Sequence, residues 1–125
     1  MKIVEIENRS RPLPAPLYAE YCQSFFCKLA GLAFRRRLAP DRALILVQSH
    51  ENRVDSAIHM FGMAFDLTII WLDNNLRVLE VRHARRWRSV IVPRHPARFV
   101  VECDVSHLDD FIVGDQLVFQ TPTET

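Results

Sequence analysis

Leu67-Thr68-Ile69-Ile70-Trp71-Leu72 is a nearly unbroken run of β-branched, aromatic and aliphatic residues, the composition of a central strand covered on both faces. Asp73-Asn74-Asn75 follows, residues that tolerate positive φ, and Leu76 to Val81 returns as a second apolar run. The segment therefore predicts a β-hairpin. Downstream, Val90 to Val92 reads as a short strand closed by Pro93, and Arg98 to Cys103 as a strand with Phe99, Val101 and Cys103 on one face. Ser106 is placed to cap a helical turn reaching Phe111. Gly114-Asp115 then makes a turn into a strand over Gln116 to Phe119, ahead of a loose polar tail at 120–125.

Upstream of the hairpin, Ser56 to Phe61, ended by Gly62, and Ala43 to Val47 are further strand candidates. From Leu17 to Phe34, Tyr21, Phe25, Leu29 and Leu32 recur at three- and four-residue intervals, which predicts the one helix of the chain. Pro12-Leu13-Pro14-Ala15-Pro16 cannot carry a ladder or a helix and reads as a connector over 12–16. Lys2 to Glu7 alternates as a first strand. The expectation is a mainly β chain, a single compact antiparallel β-sandwich or small barrel with one N-terminal helix, forming one domain over 1–125.

Composition sets the class. At 125 residues, 49% hydrophobic and 25% charged, the chain can bury a core without staples. No run approaches the length of a membrane span, and Glu5 and Glu7 interrupt the first apolar stretch, so a cytoplasmic protein with no membrane association is expected. Three cysteines, Cys22, Cys27 and Cys103, are the wrong arithmetic for a disulfide framework and read as reduced thiols. Net charge is only +1, yet seven arginines and one acid, Glu80, lie between Arg77 and Arg98. Beyond Arg98 there is no lysine or arginine, while Glu102, Asp104, Asp109, Asp110, Asp115 and Glu124 accumulate. The two stretches either neutralise each other locally or leave a basic face for an anionic partner.

From Cys22 to Phe119 the order of elements resembles the prokaryotic family called domain of unknown function 192. The residues that carry the likeness are Gly31-Leu32 with the arginines after it, Ile58-His59-Met60-Phe61-Gly62-Met63-Ala64-Phe65, and Ile69-Ile70-Trp71-Leu72-Asp73. Arg86-Trp87-Arg88, Ala97-Arg98-Phe99-Val100-Val101-Glu102 and Val113-Gly114-Asp115-Gln116-Leu117 complete it. The resemblance implies a compact, mostly β fold and no established activity. Where the family usually has Pro-Ile-Asp or Pro-Leu-Asp this chain has Asp66-Leu67-Thr68, and Ala64 replaces an arginine. A polar role shared by that pair is either lost or moved to Asp66.

Five residues stand out as ligand-binding candidates: His59, Met63, Asp66, Trp87 and Arg88. His59 beside Gly62 is placed to act as general base or ligand with Asp66 orienting it, or to close a backbone bond while Met60 and Met63 fill the core. No Gly-x-Ser-x-Gly elbow accompanies it. Cys22, Cys27, Cys103 and His107 are weighed as zinc ligands, but neither pair has the tight spacing of such sites, so no metal is expected. Three glycines cannot build a phosphate-binding loop, and no cofactor is expected. Arg82 to Arg88 interleaves guanidiniums with Trp87, the chemistry of a nucleic-acid platform. It equally suits a loop where Arg86 or Arg88 covers the indole, and the covered indole is the preferred reading. Three functions stay open: a non-catalytic binding module for a small molecule or protein, a small enzyme using His59 with Asp66, and an anion or nucleic-acid binder through Arg82 to Arg88. An uncovered edge strand would favour an oligomer.

Overall fold

Strand β5 (Leu67–Leu72) is buried along its whole length. The hairpin expected after it forms with β6 (Val78–Ala84), in a register running from Leu67 opposite Ala84 to Ile70 opposite Val81. The left-handed residue of its turn is Leu76, at φ 62°, and not an asparagine. Asp73 explains the choice: its Oδ1 accepts from the N–H groups of Asn75 and Arg77, at 2.8 and 3.0 Å. Leu76 itself packs on the core, so local bonds and burial offset the cost of that backbone conformation.

The computed structural model describes residues 2–24, 27, 37–60, 62–87 and 90–122. Around β5 it orders seven strands as β6-β5-β8-β3-β2-β1-β9. These are β1 (Ile3–Asn8), β2 (Leu17–Cys22), β3 (Arg42–Asn52), β8 (Ala97–Asp104) and β9 (Leu117–Gln120) with the hairpin. The sheet is a curled half-barrel, mainly β as expected. Its outer strands meet at one end through the Arg77–Gln116 bridge. There the Leu117 N–H donates to the Leu76 carbonyl and the Gly114 N–H to the Val78 carbonyl, both at 2.9 Å. Gly114 takes φ 94° to make this approach, a conformation open to glycine.

Three expectations are corrected. Leu17–Cys22 is a strand, not the start of a helix: Leu17 and Ala19 are buried while Tyr18 and Glu20 are less so, a period of two. Pairing with β1 on one side and β3 on the other outweighs the weaker helical spacing. The rest of the predicted helix, at 25–26 and 28–34, lies outside the described residues. The sheet is not wholly antiparallel, since β2 and β3 run parallel, joined by a connection long enough for the crossover a parallel pair needs. Finally, Cys22 and Cys27 are not reduced thiols but a disulfide, with Cα atoms 5.8 Å apart, inside bridging range. Cys103 is free and buried.

Smaller differences follow the same logic. The Ser56 to Phe61 strand contracts to β4 (Ile58–His59) because residues 53–56 form a turn. Asp104, not Ser106, caps the single 3-10 turn Val105–His107, its carboxylate accepting from the Ser106 N–H. Alternation along the central strands divides the apolar side chains between two layers. Ile45, Val47, Ile70, Val101 and Cys103 turn into the curl with Val4, Ile6 and Phe111. Leu44, Leu46, Ile69, Trp71 and Val100 turn outward, where Met60, Met63 and a two-stranded ribbon of β4 with β7 (Val90–Ile91) cover them. Asn8 fastens the end of β1: its Nδ2 donates to Asp115 Oδ2 at 2.8 Å and to the Asp110 carbonyl at 3.1 Å. Asp115 also accepts from the Ile112 N–H, at 3.0 Å, and from the Arg11 guanidinium, at 3.3 Å.

Candidate functional site

The hairpin register brings the end of β6 back beside the residue that precedes β5. Asp66 is thereby bonded to His83, whose Nε2 lies 2.9 Å from Asp66 Oδ2. The Arg86 N–H donates to Asp66 Oδ1 at 3.0 Å, with the Arg86 Nε at 3.7 Å. The backbone N–H of Arg86, then the His83 ring, hold this carboxyl below the usual carboxylate range. Asp66 thus braces the chain where it leaves β6, and its imidazole partner is His83 in place of the expected His59.

One residue on, the Trp87 N–H donates to the Met60 carbonyl at 3.2 Å, tying the turn to the end of β4. Trp87 sits at φ 61°, in the left-handed region, and is 64% exposed. A bulky residue held there is costly and needs external support. Arg86 is engaged by Asp66, and among the described residues the arginine over an indole is Arg82, 5.9 Å from the buried Trp71 ring. Among the described residues no guanidinium lies over the Trp87 ring; Arg88, the other residue expected to cover it, lies outside them.

His59 is exposed on β4, directly opposite Val90 of β7. Ile58 and Ile91, the next pair, point inward. The outward side of the ribbon consequently shows His59, Val90 and, beyond the strand, Val92, next to the Trp87 turn. Its far end is pinned by the Arg53 Nε, 3.1 Å from the Pro93 carbonyl, and by the Arg94 N–H, 2.8 Å from Glu80 Oε1. Glu80 is itself paired with Arg82. Among the described residues the side chains of Arg85 and Arg94 make no ion pair, and both residues are exposed. Met63 is buried in the outer apolar layer and its N–H bonds the Met60 carbonyl.

The weighed zinc ligands do not assemble: Cys22 and Cys27 are joined to each other, and His107 binds the Asp110 carboxylate and the Pro40 carbonyl. Among the described residues no cluster of three metal-ligating side chains occurs. Burial, with Asp104, Asp110 and Glu102 nearby, pushes the Cys103 thiol far above its ordinary value, so it is no thiolate nucleophile. An open groove of about 530 Å³ runs between β1 and the proline connector, lined by Glu5, Glu7, Arg9 and the prolines. It contains none of the candidate residues.

The model of the DUF192 family, described as uncharacterized ACR, matches residues 3–119. This chain belongs to the DUF192 family. It is 39% identical to a UPF0127 protein of Thermococcus gammatolerans over 68% of this chain and 54% of the relative. It is 32% identical to a UPF0127 protein of Thermococcus kodakarensis, over 81% and 63%. The chain thus spans between about half and two thirds of the length of these relatives. In fold it is similar to a solved structure from Sinorhizobium meliloti, named as a candidate transcription regulator, with a TM-score of 0.81 at 19% identity over 94% of this chain and 92% of that one. A protein of unknown function from Novosphingobium aromaticivorans has a TM-score of 0.77 at 17% identity, over 93% and 83%.

Within this DUF192 chain, sequence reasoning singled out Asp66 and Trp87 but missed His83 as the partner of the acid. The available signal was the hairpin itself. Once Leu67 to Leu72 and the return strand are paired, the residue before β5 must lie beside the last residues of β6.

Proposed function

We propose that the protein is a non-catalytic binding module, one domain whose contact face is the Trp87 turn with the outward side of the β4–β7 ribbon. The observation that carries the reading is Trp87: a large exposed aromatic side chain in a left-handed backbone conformation, braced by Asp66 on one side and by the Met60 carbonyl on the other. Exposed aromatic rings on fixed backbone are the anchors of binding surfaces, since little freedom remains to be lost on contact. Val90 and Val92 extend the apolar area, and arginines flank it.

The test is a thermal-shift panel of metabolites and peptides on the wild type and on Trp87→Ala. The expected result is a ligand that raises the melting temperature of the wild type alone. Turnover of a common hydrolase substrate that persists in Trp87→Ala would overturn the reading. An enzyme using His59 with Asp66 is less well supported, because the acid is already committed to His83 and Arg86.

A further inference from the structure

The ribbon face combines an exposed indole with the guanidiniums of Arg85 and Arg94, which make no ion pair among the described residues, and with the largely solvent-exposed side chain of Arg86. We infer that it binds single-stranded nucleic acid, with a base stacked on Trp87 and phosphates held by Arg85, Arg86 and Arg94; the inference rests on the binding face proposed above. Trp87 offers its ring to solvent at a turn, where the face of a base can meet it only if that base is unpaired. Arg85 and Arg94 lie on either side of the ribbon segment in sequence, both exposed and without ion pairs among the described residues. Arg86 is oriented by Asp66 through its backbone and keeps its side chain largely in solvent, 63% exposed.

Between them His59, Val90 and Val92 provide a surface with an ionisable ring and aliphatic groups, but no carboxylate. Two acids that adjoin the face are already engaged: Asp66 by His83 and Arg86, and Glu80 by Arg82 and the Arg94 N–H. A simple polyanion would use the arginines and ignore the indole. A nucleic-acid strand uses both, so the contribution of Trp87 separates the two chemistries.

The experiment is fluorescence polarisation of a labelled oligo-dT with the full chain, titrated over a series of salt concentrations. Three phosphate contacts give a log–log slope of about −2. Trp87→Ala, whose melting temperature should match the wild type because the ring is exposed, should weaken binding roughly ten-fold or more, and Trp87→Phe should restore most of it. Arg85→Ala with Arg94→Ala should flatten the salt slope while leaving quenching of Trp87 by the bound base at saturation.

Equal binding by Trp87→Ala and wild type would overturn the inference, as would inorganic polyphosphate competing as well as oligo-dT at equal charge. Tighter binding of duplex than of single strand would overturn it too. If oligo-dT fails at low salt while a metabolite or peptide shifts the melting temperature in a Trp87-dependent manner, the nucleic-acid inference falls and the binding face stands. If Trp87→Ala changes the binding of nothing that the wild type binds, both fall.

Discussion

Replacing Thr68 with valine should stabilise the protein. Thr68 is fully buried in β5, cross-strand from His83 of β6 and Cys103 of β8. Its hydroxyl Oγ1 has no hydrogen-bond partner among the described residues. A hydroxyl carried from water into such a site costs about 1–3 kcal/mol on protein mutational scales. Valine keeps the branched shape and the strand preference while removing the polar atom. The Thr68 carbonyl, which accepts the Cys103 thiol at 3.8 Å, is backbone and unaffected. A gain of about 1–2 kcal/mol is expected. With an unfolding entropy of roughly 0.26 kcal/mol/K for a chain of this length, that is about 4–8 °C in melting temperature. Calorimetry and urea melts on the two proteins, with unchanged m-value, give the measurement. A Thr68→Val variant that melts at or below the wild type would refute the reasoning, because the hydroxyl would then have a partner worth more than its desolvation.

Other consequences can be measured with the same tools. Asp115→Ala should cost about 3 kcal/mol in urea melts near neutral pH, since it strands the amide of Asn8 and the Ile112 N–H. Burial would raise the Asp115 carboxyl, but the bonds from Asn8, Ile112 and Arg11 together hold it below its ordinary value. Its contribution is therefore complete above the ordinary carboxyl range and disappears as pH falls through the lower folded value. The gap between wild type and Asp115→Ala should narrow below about pH 4; a gap independent of pH speaks against this network. Asp66 carries the same sign, so acidification should loosen the Trp87 turn. Acrylamide quenching of Trp87 should rise as pH drops in the wild type and be flat in Asp66→Asn; identical curves would exclude the brace. Denatured, unreduced protein should react with a thiol reagent at Cys103 alone, and reduction should cost at most about 2 kcal/mol for so short a loop. Three reactive thiols would show that the Cys22–Cys27 bond does not form.

The strands were legible where one signal was unopposed. Leu67–Leu72 is apolar on both faces because it is central, with β6 on one side and β8 on the other. The alternation of Phe99, Val101 and Cys103 likewise follows from one face turned into the curl. Leu17–Cys22 was misread because Tyr18 and Tyr21 blur a period of two that depends on two neighbouring strands, neither near it in a local window. The Cys22–Cys27 bond escaped because counting thiols says nothing of where a strand ends. At the candidate site the residue types were visible and the partnerships were not. Asp66 and His83 are seventeen positions apart, and only the hairpin register makes them neighbours. The exposure of Trp87 likewise could not be read from its neighbours in sequence.

The pairing of β1 with β9 has a kinetic corollary. Asn8 and Asp115, which lock the ends of these strands together, are separated by 107 positions. During synthesis β1 must therefore wait, one edge unsatisfied, until β9 has left the ribosome. Closure at such long range is slow, which leaves a lengthy interval when the nascent chain is most exposed to wrong partners.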